Sequence, residues 1–224
     1  MALLLRETYP EIEFMWVCTP TGNEPAAWFS HMRELRDRIG PISPIMYQGG
    51  LEGLVRQWNA LPNWRQRWCT RVLKIEPFAK FLMQNAPAKF YVGLRADEEE
   101  REGGDYQNVP GVEMIFPLRE AGMNIDDVYC FLAERGQTIP KRTDCKLCFF
   151  QRLIEWYELW RDDLASYLEG ERWEAATGYT FRSPGRDTQP TSLRDLRLKF
   201  ETGWVPKDTR VDAIGRLKCR VCTK

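Results

Sequence analysis

The chain has 224 residues, of which 43% are hydrophobic and 12% aromatic, and this composition excludes an intrinsically disordered polypeptide because it can bury a core. Lysine plus arginine and aspartate plus glutamate number 32 each, so no net charge draws the whole chain onto nucleic acid or an anionic membrane. No apolar run reaches the ~18 residues of a transmembrane helix, and the opening MALLLRETYP is too short for a secretion signal. We therefore expect a cytoplasmic protein without membrane contact.

Apolar residues at helical or alternating spacing predict the elements, which we give in chain order. They are a helix from residue 3, a strand at 12–19, a helix at 26–39, a strand at 44–48, helices at 51–61 and 68–85, strands at 88–96 and 112–118, and helical patterns at 124–136, 149–167 and 193–203. The alternation indicates an α/β fold over residues 1–140, with a mostly parallel sheet flanked by helices. A helical region that carries cysteines follows at 141–224. Ligands of such sheets bind at the carboxyl ends of the strands, which directs attention to the loops after Thr19 and Gly93.

The first of these loops reads TPTGNE and leads from a strand into a helix. Thr21, Gly22 and Asn23 offer backbone N–H groups at a helix N-terminus, which favours binding of a phosphate or a ribose. The pattern is equally typical of an ordinary strand–helix turn that Asn23 caps. Both interpretations stay open.

The second loop reads GLRADEEER and places Arg95 just past a strand, after Gly93. A guanidinium there can hold phosphate or sulfate oxygens through two parallel hydrogen bonds. The acidic residues that follow are typical of a solvated loop. Arg67, Arg71 and Lys74 are spaced in steps of four and three, so they predict one cationic helical face. That face is either surface charge or, together with Arg95, part of an oxyanion pocket.

The seven cysteines, an odd number without a signal peptide, indicate reduced thiols that bind metal. Two Cys-x-x-Cys pairs, Cys145 with Cys148 and Cys219 with Cys222, are separated by 219 − 148 = 71 residues. Together they can close one tetrahedral site, since thiolates select zinc or an iron–sulfur cluster.

The remaining cysteines and the histidine carry less chemistry. We expect Cys18, in a strand, and Cys130, on a helix, to be buried apolar residues. The single histidine, His31, lies in a charged helix, which argues against Ser–His–Asp or Cys–His catalysis.

Four stretches follow one another in the order of a known family: TGNE at 21–24, RWCTRVLKIEPF at 67–78, GLRADEEER at 93–101, and FPLREAGMNIDDVYCFLAERGQTIP leading into DCKLCFF. With these stretches the chain resembles the phosphoadenosine phosphosulfate (PAPS) reductase-like branch of the PP-loop adenine nucleotide α-hydrolases. The resemblance implies ATP or adenylylsulfate as ligand, chemistry at the α-phosphate or the sulfur, and a 4Fe-4S cluster, with zinc as the alternative.

Carried onto this chain, the resemblance implies roles for individual residues. Arg95 and Lys74 would neutralise phosphate or sulfate charge in the transition state, and Glu24 would orient the ribose or a metal-bound water. The nucleotide would be held by a wider set: Thr21, Gly22, Asn23, Arg71, Gly93 and Arg95.

The cysteine ligands follow the family only in part. Cys69, Cys145 and Cys148 match ligand positions of the family, and the fourth thiolate would come from Cys219 or Cys222. The ending LKCRVCTK lacks the family's Glu-Cys-Gly-Leu-His motif, so we do not expect its cysteines to attack a sulfonate.

The family's opening strand and its Ser-Gly-Gly-x-Asp-Ser phosphate loop have no counterpart here. Either the start codon is placed too late or the loop has been lost. A chain that lacks both is expected to expose unpaired strand edges and to bind ATP poorly, with a second copy or a partner chain completing the sheet.

Other functional classes stay open beside the nucleotide-dependent enzyme. One is a non-catalytic scaffold with a structural metal site. Relatives in phages and beside defence genes imply a nucleic-acid-linked role, and residues 186–224 hold ten Lys/Arg against five Asp/Glu. A nucleic-acid binder would depend on Arg194, Arg197 and Lys199.

Overall fold

In a computed structural model of the chain, residues 1–101, 106, 109–140, 143–184 and 188–208 are described. The chain divides into two compact units. The first unit consists of Met1–Tyr47 and Thr70–Thr143, and the second of Gln48–Cys69 and the chain from Asp144 onward. The helical segment at 48–69 therefore belongs with the C-terminal helices.

The described residues form ten α-helices, one π-helical turn and four strands. In chain order they are α1 (Ala2–Thr8), β1 (Trp16–Cys18), α2 (Ala26–Ile39), β2 (Ile42–Pro44), α3 (Gly50–Trp58), α4 (Trp68–Thr70), the π-helical turn (Arg71–Ile75), α5 (Glu76–Asn85), β3 (Ala88–Tyr91), β4 (Val112–Ile115), α6 (Pro117–Glu120), α7 (Ile125–Glu134), α8 (Leu153–Asp162), α9 (Leu164–Thr177) and α10 (Leu193–Glu201). No helix in the described ranges has the length and apolar character needed to cross a bilayer.

The strands of the first unit pair into two separate two-stranded sheets, both parallel. In the first sheet Trp16 of β1 lies opposite Ile42 of β2, and in the second Ala88 of β3 lies opposite Val112 of β4. The predicted mixture of helices with parallel strands is confirmed. The continuous sheet is not seen, because no ladder joins β1 to β3 within the described residues.

One hydrophobic cluster supports both sheets. Phe78 and Leu82 of α5 are buried together with Tyr106. Val17 of β1 and Phe90 of β3 both pack against this cluster. Helix α5 therefore covers strands of both sheets, although the two sheets share no backbone hydrogen bonds.

The second unit has a helical core of its own. Trp156 of α8 and Tyr167 of α9 are fully buried, and the Tyr167 hydroxyl donates to the carbonyl of Leu193 at 2.7 Å. The helical pattern at 149–167 is not one helix but parts of two. Asp163 ends α8 and caps α9, because its carboxylate accepts the N–H of Ser166 at 3.1 Å.

Candidate anion site and cysteine loop

The loop after β1 is closed by the carboxylate of Glu24. Its Oε1 accepts the backbone N–H of Thr21 at 2.6 Å and the Thr21 hydroxyl at 2.7 Å, and its Oε2 accepts the N–H of Gly22 at 2.9 Å. Thr21, Asn23 and Glu24 are buried. Gly22 has a φ of 79°, a left-handed conformation that glycine adopts without strain.

These contacts change the expectation for a phosphate at this loop. The N–H groups of Thr21 and Gly22, which the sequence offers to an anion, already donate to Glu24. A phosphate has to displace this carboxylate, since two anions repel each other when they share the same donors. Asn23 does not cap α2 either, because Pro25 is the residue that precedes the helix.

The charge of Glu24 also acts on the nearby thiol. Burial raises the pKa of Cys18, and the negative charge of Glu24 raises it further. Cys18 is half-buried, whereas Cys130 is exposed on α7, so the prediction that Cys130 is buried is wrong.

Arg95 follows β3 and is held by two carboxylates. Its side chain is 15% exposed, with Nε 2.9 Å from Oδ1 of Asp97 and Nη1 3.4 Å from Oε2 of Glu98. The hydrogen bond from Arg95 lowers the pKa of Asp97, so this carboxyl is ionised at neutral pH. The guanidinium is thus oriented by neighbouring acids.

Glu98 is the buried centre of this group, with a side chain that is 3% exposed. Its carboxylate accepts the backbone N–H of Arg95 at 3.1 Å and pairs with Arg101. Arg119 of α6 donates to the backbone carbonyls of Arg95, Glu98 and Arg101. We call the following five residues the Arg95 network: Arg95, Asp97, Glu98, Arg101 and Arg119. Its three guanidinium groups and two carboxylates carry a net charge of 3 − 2 = +1.

Sequence reasoning missed Arg119 and the burial of Glu98. Arg119 follows β4, the parallel neighbour of β3, so the strand-end rule that selects Arg95 also selects Arg119. The expectation of a solvated acidic loop fails at Glu98 because its carboxylate is enclosed by arginine donors.

The other predicted cations do not join this network through any contact in the described ranges. Arg67 precedes the helix and its guanidinium lies 5.1 Å from the centre of the Phe150 ring. Arg71 pairs with Glu76 at 3.3 Å, and Lys74 is exposed. The predicted single face fails, because Arg67 lies outside the helix and the turn at 71–75 has π-helical rather than α-helical spacing.

Gly93 lies beside the start of the chain. A Cβ built on Gly93 would be 3.5 Å from the Cβ of Met1, an ordinary contact distance. A Cβ would therefore fit at position 93, and the packing does not require a glycine there to admit a ligand.

The first Cys-x-x-Cys pair lies in a loop that the second unit anchors firmly. Leu147, between Cys145 and Cys148, is 1% exposed. It packs so closely on α9 that a Cβ on Gly170 would be 2.8 Å from its Cδ2. Lys146 adds a hydrogen bond to the hydroxyl of Ser166 at 3.1 Å. The two cysteines flanking Leu147 are half-buried.

The segment that carries Cys69 packs beside this loop. Arg67 stacks on Phe150, two residues after Cys148, which brings the two segments together in the second unit. Among the described residues no three of His, Cys, Asp or Glu form a group that could hold a metal ion. Cys219 and Cys222, the other members of the predicted ligand set, lie outside the described residues.

Comparison of the chain with protein-family models, curated proteins and solved structures finds no match.

The basic residues of α10 are engaged within the protein. Arg197 forms ion pairs with Glu171 at 2.6 Å and Glu201 at 2.7 Å. The ammonium of Lys199 lies 4.3 Å from the centre of the Trp204 ring. Two of the three cations expected to contact nucleic acid thus have structural partners.

Proposed function

We propose that the protein binds the anionic group of an adenine nucleotide, ATP or adenylylsulfate, at the Arg95 network, as its resemblance to PAPS reductase-like proteins implies. The observation that carries this proposal is the position of Arg95 at the carboxyl end of a parallel strand, largely buried and within a network of net positive charge. An adenine nucleotide α-hydrolase-like arrangement of the first unit is part of the same proposal.

In this proposal the ligand anion takes the place of the Asp97 carboxylate as a partner of the Arg95 guanidinium. Asp97 is 37% exposed whereas Glu98 is 3% exposed, so Asp97 can turn away while Glu98 keeps the loop in place. Partly exposed ion pairs contribute about 1 kcal/mol or less. A phosphate or sulfate held by two parallel hydrogen bonds therefore competes well for the guanidinium.

Binding is better supported than catalysis. Glu24 is occupied by its own loop and Lys74 is exposed without a contact to the Arg95 network in the described ranges. Sulfur transfer, reduction or α-phosphate hydrolysis stays a proposal from the resemblance alone. The closed Glu24 loop favours a second candidate, a scaffold that keeps the fold without turnover.

Calorimetric titration with ATP and with adenylylsulfate tests the proposal. We expect Arg95→Ala to weaken binding at least about tenfold, since a charge-assisted pair is lost. Asp97→Asn removes the competing carboxylate with little change in shape, so we expect it to tighten binding several-fold. Arg36→Ala, at an exposed arginine of α2, is the matched control.

Two results would count against nucleotide binding. The first is no heat from the unmodified protein with either ligand, which would leave the scaffold as the function. The second is equal weakening by Arg95→Ala and Arg36→Ala, which would mean that only overall charge matters.

We further propose that Cys145 and Cys148 bind a 4Fe-4S cluster, or zinc, together with Cys219 and Cys222. The anchored loop around Leu147 supports this, because it fixes two soft donors at Cys-x-x-Cys spacing. Absorbance near ~400 nm in an anaerobically purified sample distinguishes the cluster from colourless zinc.

A further inference from the structure

The first unit contains a cavity between its two sheets, with a volume of about 460 Å³. This volume is in the range of ligand sites, roughly 300–1,000 Å³. Its walls are the segment 12–17 that leads into and includes part of β1, the whole of β3, and one side of α5. Most of the lining side chains are apolar, among them Phe14, Phe81 and Leu82.

The wall formed by β1 presents backbone groups to this cavity. The carbonyl of Cys18 accepts the N–H of Ile45 at 2.8 Å, on the side of β2. Backbone groups of successive residues in a strand point to opposite edges, so those of Trp16 also face β2. The N–H and C=O of Val17, and of Met15 where the extended chain continues, therefore face the cavity.

The wall formed by β3 does the same from the opposite side. The N–H of Val92 donates to Ile115 of β4 at 2.9 Å. By alternation the N–H and C=O groups of Lys89 and Tyr91 point away from β4 and toward the cavity. No turn, loop or side-chain hydrogen bond in the described ranges uses the backbone of the four cavity-facing residues Met15, Val17, Lys89 and Tyr91.

The two walls are close and supported in common. Val17 and Phe90 pack against the same cluster on α5, and the rings of Phe14 and Tyr91 lie 5.4 Å apart across the cavity. A strand inserted in this cavity and hydrogen-bonded to both walls would join the two sheets into one of five strands.

We propose that this cavity is a docking site for an extended apolar peptide segment of a partner protein, which inserts as a strand between β1 and β3. Two facing rows of unpaired N–H and C=O groups specify a peptide backbone, because only an extended chain satisfies both rows at once. Its side chains would be apolar, since a strand buried on both faces is rich in valine and isoleucine.

Amide hydrogen exchange, read residue by residue by NMR, tests the proposal with a synthetic peptide. The probe is the blocked heptapeptide Lys-Val-Ile-Val-Ile-Val-Lys, and the control replaces its third and fifth residues by proline, which has no N–H. With the probe we expect exchange at Val17 and Tyr91 to slow by about tenfold or more. Trp16 and Phe90 should change much less, because their amides already face β2 and β4.

Several outcomes would overturn the proposal. One is unchanged exchange at Val17 and Tyr91 with saturating probe, and another is equal protection by the proline peptide. Uniform slowing at all amides of the first unit would mean that the peptide binds elsewhere. Protection that rises with protein concentration in the absence of any peptide would assign the cavity to a second copy of the chain.

Discussion

Glu174 is a buried carboxylate that ties three segments of the second unit together. It is 7% exposed, and it accepts the N–H of Phe181 at 2.9 Å and the N–H of Leu193 at 2.6 Å. Burial raises its pKa from 4.5 to about 7, although the two backbone donors lower it. Helix α9 is thus linked to the following loop and to the start of α10 through one titrating group.

The stability of the protein should therefore depend on pH through Glu174. Its native pKa, about 7, lies above the ordinary value of 4.5, so the folded state holds the proton more tightly than the unfolded chain. This contribution is fully present below about pH 4.5 and is lost as the pH rises through about 7. Between pH 5 and 8 we expect the free energy of unfolding to fall by on the order of 2–3 kcal/mol through this group.

Urea denaturation of the Glu174→Gln variant at four pH values measures this effect. The variant should lack the loss of stability that the unmodified protein shows. Glu169→Gln, on the same helix, is the control and should keep the original pH dependence. Parallel pH profiles for Glu174→Gln and the unmodified protein would contradict the assignment.

Sequence reasoning located charged residues at strand ends but not their partners. The strand-end rule selects Arg95 and the family resemblance selects Glu24, and both residues lie in loops that follow strands. Turn conformation and side-chain rotamers determine two of these contacts. They bring Glu24 onto its own loop and bury Glu98 beneath arginines. No spacing rule encodes these, since the partners are two to three residues away in loops without a repeating period.

At the scale of elements, Gly170 of α9 lies in close contact with two leucines of the second unit. A Cβ there would lie 2.7 Å from Cδ1 of Leu193 and 2.8 Å from Cδ2 of Leu147. Alanine improves helix propensity by ~1 kcal/mol, but overpacking costs about 1–3 kcal/mol. We expect Gly170→Ala to lower the free energy of unfolding and to displace the loop that holds Cys145 and Cys148.

Gly53 of α3 is the matched control. It lies inside a helix too, and a Cβ built on it meets nothing within 4 Å. Gly53→Ala should therefore stabilise the protein by ~0.5–1 kcal/mol. Thermal unfolding of both variants gives the comparison. Equal stabilisation by the two substitutions would show that the leucines move aside at no cost.

Helices were more predictable than strands because local signals determine them. The range of α2 is as predicted, and Asn124 caps α7 in a capping box with Asp127. The second strand is predicted at 44–48, but β2 lies at Ile42–Pro44, because pairing with β1 determines which residues form the strand. The sequence pattern at 68–85 predicts one continuous helix and does not indicate the π-helical turn inside it.

At the scale of the whole molecule, the two candidate sites belong to different units. The Arg95 network and the Glu24 loop are in the first unit, and Cys69, Cys145 and Cys148 are in the second. Each unit has its own buried core. Loss of the proposed metal should therefore destabilise the second unit without changing the proposed anion site of the first.

The double variant Cys145→Ser, Cys148→Ser tests this separation, with Cys130→Ser as the control at an exposed thiol. Seven of the nine tryptophans lie in the second unit, so tryptophan fluorescence mainly reports its unfolding. We expect the double variant to lose bound metal and to unfold at lower urea, because structural metal binding contributes to folding. Its affinity for ATP should stay within about twofold of the unmodified protein, since substitutions without shared partners act independently. A parallel fall in ATP affinity would instead mean that the cysteine loop and the Arg95 network act as one site.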